Sequence, residues 1–257
     1  SGAGSGIGLA TAVLFARLGA DLVICGRQPD KLAAAEQLLS GIGARVLAQP
    51  MSIRDPEAVV ALHEAAEARF GGLDILVNNA GGQFPQPALD YTEKGWRAVI
   101  DTNLTGSWFM MQTAARNWVA AGTPGVIVNV IADIWRGMPQ VAHTCAARAG
   151  VAYLSKSLAV EWAPHRIRVN CVAPGMIETT GFAVYPPEAS AEFANSNPMK
   201  RCGPPWGIAQ SSAYLAGPMA EFVTGEILTV DGGQQMWGDV WPHHRPDHYK
   251  PAEYRSD

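Results

Sequence analysis

The chain opens on Ser1-Gly2-Ala3-Gly4-Ser5-Gly6-Ile7-Gly8 and passes directly into an amphipathic helical pattern that reaches Leu18. No other feature limits the possible folds as much. Glycines at this density let a backbone turn sharply, and a helix start directly behind them exposes unpaired N–H groups and a positive dipole end. A turn of this kind follows a strand and opens a helix. Here the helix is present and the strand is not. The expectation is therefore a first strand of about five to six residues missing ahead of Ser1.

Strand and helix signals alternate along the rest of the chain. Apolar runs predict strands at Asp21 to Cys25, Arg45 to Ala48, Leu73 to Val77, Val126 to Val130, Ile167 to Cys171 and Ile227 to Val230. Helical stretches are expected at about Asp30 to Ser40, Pro56 to Phe70, Thr92 to Ala121, Val141 to Trp162 and Pro205 to Leu215. Repeated strand–helix units imply an α/β fold: a Rossmann-type, doubly wound parallel sheet with helices on both faces. No linker, repeat or low-complexity run interrupts the 257 residues, which predicts a single domain. Two stretches break the alternation. Residues 180–204 lack clean periodicity and lie beyond a strand's carboxyl end, where open sheets bind ligands, so they read as a mobile segment covering a substrate. The tail, about 234–257, carries Trp237, Trp241, His243, His244, His248 and Tyr249. Its aromatics are expected to pack on a neighbouring subunit or on the substrate segment, and its histidines lack a metal-ligand spacing.

Composition removes several function classes. The net charge is −4, so there is no basic footprint for nucleic acid. No apolar run approaches the roughly 18–20 residues that span a bilayer. The four cysteines, Cys25, Cys145, Cys171 and Cys202, are scattered and read as reduced thiols.

The Gly2-x-x-x-Gly6-x-Gly8 spacing suits a backbone that approaches a pyrophosphate. Support comes from the next strand, which ends at the matching distance in Cys25-Gly26-Arg27. An acid at that point would bind ribose hydroxyls. Arg27 suits a 2′-phosphate instead, so NADP(H) is expected over NAD(H).

The glycine turn, Asn78-Asn79-Ala80-Gly81, Asn103 in a long helix and Pro174-Gly175 together resemble the short-chain dehydrogenase/reductase family, from Ser1 to about Gly233. The resemblance implies a cofactor site of Gly2, Ser5, Gly6, Ile7, Gly8, Arg27, Ser52, Ile53, Asn79, Ala80, Gly81, Arg148, Pro174, Gly175, Ile177 and Thr179. Asn79, Ala80 and Gly81 would lie on the adenosine side and brace the sheet. Pro174, Gly175, Ile177 and Thr179 would hold the nicotinamide. Ser52 stands where the family often has Asp. The resemblance also implies a homotetramer, with Asp231-Gly232-Gly233 in the family's C-terminal segment.

The departures concern chemistry. The family's usual catalytic set is Asn, Ser, Tyr and Lys, with Tyr-x-x-x-Lys and Ser thirteen residues before Tyr. Aligned through Ala149-Gly150-Val151, the Lys position is Arg148, the Tyr position Thr144 and the Ser position Ile131; only Asn103 remains. Tyr153 and Lys156 are one residue too close together and two turns too far along to substitute. A Thr hydroxyl is a far weaker acid than Tyr, whose unperturbed pKa is about 10. Arg148 stays protonated, yet it can hold the ribose and stabilise developing negative charge.

Gly81-Gly82-Gln83-Phe84 and the stretch from His143 to Val151 resemble the peroxisomal trans-2-enoyl-CoA reductase and 2,4-dienoyl-CoA reductase branch. This implies an NADPH-dependent reductase of a conjugated enoyl thioester, with a small-molecule substrate that an acyl-CoA would satisfy. Arg148 would bind ribose and stabilise an oxyanion, Asn103 would organise a helix kink and a water, and Thr144 would donate to the substrate carbonyl. His143 would donate or relay a proton, or serve packing at the helix start. Asp133 would position water or cap the segment after it. Trp135 and Phe84 would line an acyl pocket or serve as core aromatics. Two other readings stay open: a dehydrogenase of an alcohol or aldehyde of the terpenoid kind, and a catalytically silent NADP-binding regulator. The terminal Tyr254-Arg255-Ser256-Asp257 is not a peroxisomal address, so the expected location is the cytoplasm of a bacterium.

Overall fold

The computed structural model describes residues 1–185 and 187–236. Six parallel strands lie at nearly the expected positions: β1 Leu22–Gly26, β2 Val46–Pro50, β3 Ile75–Asn78, β4 Gly125–Val130, β5 Ile167–Pro174 and β6 Ile227–Val230. The larger helices are α1 Gly6–Arg17, α2 Pro29–Gly41, α3 Pro56–Phe70, α4 Glu93–Ile100, α5 Gly106–Ala121, α6 Ala142–Trp162 and, after the short α7 Pro187–Ala191, α8 Pro205–Ala216.

The strands pair in two groups, β1-β2 and β3-β4-β5-β6. Between β1 and β3 lies a cavity of about 390 Å³ with Ile24, Cys25, Leu76 and Val77 in its wall. The chain starts at the carboxyl end of this gap: the Ser1 amino group donates to Val77 O at 2.8 Å and Gly2 N to Cys25 O at 2.8 Å.

The sheet carries helices on both faces. Alternating residues of one strand enter opposite cores, as a pleated strand requires. Ile127 and Val169 pack with Val59 and Leu62 of α3, Met111 and Trp118 of α5 and Leu158 of α6. Val128 and Val172 pack with Phe15 of α1 and with Ile208 and Leu215 of α8. Local chemistry sets the ends of α3: Asp55 Oδ1 accepts from Glu57 N and Ala58 N, Pro56 occupies the first turn, and Gly71 leaves in the left-handed region at φ 80°.

The expected helix from Thr92 to Ala121 is not one α-helix. It divides into α4 and α5 around a π turn, Asp101–Thr105. Propensity and periodicity do not see this turn, because its partner lies elsewhere in the chain. The carboxamide of Asn103 accepts from Gly82 N and donates to Gly82 O, both at 2.9 Å. The wider π turn lets a buried side chain reach that loop, in the manner of π bulges near functional sites.

The irregular segment is also more ordered than its sequence suggests. It contains a 3-10 turn, Thr180–Val184, then α7, then a second 3-10 turn, Phe193–Ser196. A parallel bridge, Ile177 with Gly203, joins the two feet of this excursion. The tail residues from Trp237 to Tyr249 fall outside the described residues.

Candidate active site

Every loop that follows a strand's carboxyl end on one side of the sheet opens into a single cleft of about 690 Å³. Its wall follows strand order: Arg27 after β1, Ser52 and Ile53 after β2, Asn79, Ala80 and Gly81 after β3, Asp133 after β4, and Gly175, Ile177 and Thr179 after β5. Gly2, Ser5, Gly6 and Ile7 of the glycine turn, with Asn103, Thr144, Arg148 and Pro174, complete the residues expected from sequence that line it.

The glycine turn is shaped by its contacts. Gly2 and Gly6 have φ of +67° and +55°, where an L side chain is strained. A β carbon on Gly8 would run into the Gly2 carbonyl and the Asn79 amide. Gly8 is therefore a packing residue of the turn and lies outside the cleft lining, a correction to its expected direct contact. Asn79 Nδ2 donates to Ser1 O at 3.1 Å and to Gly2 O at 3.3 Å, while Asn79 N and Ala80 N donate to Ser1 Oγ at 3.1 and 3.0 Å. These two residues hold the turn against β3. The cradle fits an extended dinucleotide: Gly2, Gly4 and Gly6 present bare backbone to the cleft, and β carbons on Gly2 or Gly8 would meet Asn79, Ala80 or the Gly2 carbonyl and break the turn. Arg27, exposed at the far end, is joined there by Lys31, one helical turn on, which sequence reading overlooked.

Arg148 sits at the other end on α6. It is buried and lies directly over Gly81. Among the described residues the ion pairs are Arg45–Asp21 and Arg97–Glu93, so Arg148 has no carboxylate partner. Burial pulls its pKa down to about 10, which still leaves a cation at neutral pH. Beneath it a buried polar chain ties the elements together: Asn78 Nδ2 donates to Asn129 Oδ1 at 2.9 Å, and Asn129 Nδ2 to Ser155 Oγ at 2.9 Å.

Thr144 lies one turn before Arg148 on α6 and is 3% exposed. His143, expected in the site, does not reach the cleft. It is fully buried, with its ring stacked on Tyr91 at 4.6 Å and 6° and edge-on to Phe84 at 4.6 Å. Burial lowers its pKa, so it is neutral. Its Nδ1 accepts from Thr144 N at 2.8 Å and lies 3.3 Å from Thr144 Oγ1. Aromatic stacking, a tertiary effect, turned the ring away from the cleft.

Phe84 and Trp135 are likewise corrected as acyl-pocket residues. Phe84 packs on His143 and Tyr91, Trp135 is half exposed, and neither lines the cleft. The apolar wall is instead Ile131, Met138, Phe182 and Val184. Tyr153 is 75% exposed on the outer face of α6 and Lys156 is exposed beside it, so neither can replace the absent Tyr and Lys.

Sequence reading also missed Gln83, Tyr185 and Gln234 among the polar residues of the cleft. Gln83 Nε2 donates to Tyr185 Oη, joining the loop after β3 to the irregular segment across the cleft mouth. Gln83 belongs to the Gly81-Gly82-Gln83-Phe84 stretch, the one available signal. Thr179 Oγ1 accepts from Gly181 N at 3.1 Å and so also caps the 3-10 turn. Among the described residues no helix is long and apolar enough to cross a membrane and no cluster of ligands suits a metal.

Comparison with known proteins agrees with this geometry. A family model described as enoyl-(acyl carrier protein) reductase matches residues 2–235. A probable 2,4-dienoyl-CoA reductase of Bacillus subtilis (strain 168) is 38% identical, over 94% of this chain and 96% of that one. A cis-4-hydroxycyclohexanecarboxylate dehydrogenase of Sinomonas cyclohexanicum is 41% identical, over 91% of this chain and 94% of that one. A crystal structure of a short chain dehydrogenase from Bacillus anthracis superposes with a TM-score of 0.83 at 37% identity, covering 91% of this chain and 93% of that one. With the glycine turn, the parallel sheet and the cleft along its carboxyl edge, these matches place the chain among the oxidoreductases of the short-chain dehydrogenase/reductase family.

Proposed function

We propose that the protein is an NADPH-dependent reductase of a conjugated enoyl thioester. The observation that carries this reading is Arg148: a buried cation without a carboxylate partner, in a cleft whose Tyr position is Thr144. Reduction of an isolated carbonyl needs an acid on the oxygen, and neither group serves well as one. Conjugate reduction asks for something else. When bound, a reduced nicotinamide supplies a hydride to the substrate's β carbon. Negative charge then collects on the thioester oxygen, where preorganised donors stabilise it. Arg148 and Thr144 are such donors, one turn apart on α6 and both in the cleft wall. Asn103 binds the Gly82 backbone and so keeps the loop after β3 against the π turn.

Pro174, Gly175, Ile177 and Thr179 would hold the nicotinamide, the glycine turn the pyrophosphate, and Arg27 with Lys31 a 2′-phosphate. Arg27 has Gly26 and Gln28 as neighbours and no acid beside it, which favours NADP(H). The outer face of α6, with Tyr153 and Val160 exposed, supports assembly with further copies, a homotetramer in this reading.

The test follows NADPH absorbance with trans-2-enoyl-CoA esters of short, medium and long chain, with alcohols and NADP+ in parallel. Ester-dependent oxidation of NADPH is the expected result. Turnover with alcohols alone would overturn the reading. That second reading, an alcohol dehydrogenase, is favoured by the relative that acts as a hydroxycyclohexanecarboxylate dehydrogenase.

A further inference from the structure

We propose that Asp133 is the acid that gives the substrate's α carbon its proton, an assignment that rests on the enoyl-thioester reading above. Asp133 lies three residues past the end of β4. Its N–H donates to Pro174 O at 2.9 Å, which seats it beside the turn into Gly175. Its side chain is in the cleft wall and the residue is 7% exposed. A carboxyl so placed ordinarily has close partners. Here, among the described residues, Oδ1 accepts one long contact, from Trp135 N at 3.5 Å, and no ion pair forms.

Asp231, the neighbouring acid, differs. Its Oδ1 accepts from Gly233 N at 2.8 Å and its Oδ2 from Gln235 N at 2.7 Å, so both oxygens have close backbone partners. Burial, and then the charge of Asp231, drive Asp133 toward the protonated form against the opposing pull of the Trp135 N–H and of Arg136. The charged groups that act on Asp133 are Asp231 after β6 and Arg136 on its own loop, and Arg148 on α6 and Tyr185 on the irregular segment line the same cleft.

The other protic groups in the cleft are less suited to the α carbon. Thr144 and Arg148 are the donors to the thioester oxygen, Arg148 keeping its protons at neutral pH, and burial raises the phenol of Tyr185, which Gln83 bridges at the cleft mouth. Once hydride has added to the β carbon, the former double-bond pair lies on the α carbon and the thioester oxygen as an enolate. The Asp133 O–H bond breaks, its proton forms the new C–H bond at the α carbon with that pair, and the thioester carbonyl is restored. Asp133 is left as a carboxylate and regains a proton from water at the cleft mouth.

The experiment compares wild type, Asp133→Asn and Asp133→Glu with NADPH and the same panel of trans-2-enoyl-CoA esters. Asp133→Asn should lower kcat by about 10²-fold or more while NADPH binding, followed by fluorescence, stays unchanged. Wild-type kcat should fall as pH rises through the Asp133 pKa, and that limb should vanish in Asp133→Asn. Asp133→Glu should keep part of the rate. In the protein without cofactor, infrared titration should show a protonated carboxyl band persisting above the ordinary Asp range, absent from Asp133→Asn. An active wild type whose Asp133→Asn variant keeps its kcat and its pH limb overturns this assignment alone. So does a variant weakened only in NADPH binding. A wild type that binds NADPH and oxidises none of it with any ester overturns the parent reading, and this one with it.

Discussion

The guanidinium of Arg148 lies against the α carbon of Gly81 so closely that a β carbon there would overlap Nη2 and stand 3.0 Å from Asn103 Oδ1. One missing side chain therefore brings together the loop after β3, the π turn and α6. Gly81→Ala should push Arg148 out of place. Overpacking of this kind costs about 1–3 kcal/mol, so NADPH affinity should fall by roughly tenfold and turnover with it. Isothermal titration and steady-state rates check both effects, and unchanged values would show that Arg148 can yield without consequence.

Arg148 itself should matter more for turnover than for folding. Arg148→Ala removes the donor to the developing oxyanion, and kcat should drop by about 10²–10³-fold. Arg148→Lys should recover part of it, because an ammonium keeps the charge and loses the planar fork. Normal NADPH binding with full turnover in Arg148→Ala would refute the role given to this residue.

Cofactor choice is read at Arg27. Losing a charge-assisted contact to a 2′-phosphate should weaken NADPH by about tenfold to a hundredfold in Arg27→Ala, while NADH, which lacks that phosphate, should bind as before. Equal losses for both would assign Arg27 to some shared part of the dinucleotide.

Acid stability should depend on His63. This buried side chain of α3 has its pKa lowered from 6.5 to about 4 by burial, and its Nε2 has no partner among the described residues. A depressed histidine means the unfolded chain binds the proton first. Stability present above pH 6.5 is then lost as pH falls from 6.5 toward 4, by about 3 kcal/mol at most. His63→Leu should show a flatter Tm across that window. Parallel curves for the two proteins would remove His63 from the acid response.

The strands and most helices were legible in the sequence because their signals are local. Val126-Ile127-Val128 is apolar without interruption because both faces of β4 are covered, and Pro56 and Gly71 mark the ends of α3 by their own backbone preferences. Glycine spacing and strand ends located the cleft, since in an open parallel sheet the loops at the carboxyl edge lie side by side. The aligned positions 131, 144 and 148 already showed that the usual acid is absent. Only the tertiary structure decided what remained. The π turn at Asn103 exists because a buried amide reaches Gly82, far away in sequence. His143 faces Tyr91 and Phe84, since ring stacking outweighs the α6 position that would have suited the cleft. Asp133 and Asp231 carry the same carboxyl, and sequence cannot rank them. Two backbone N–H groups engage both oxygens of Asp231, while Asp133 is buried without close partners, and burial is a property of the folded chain.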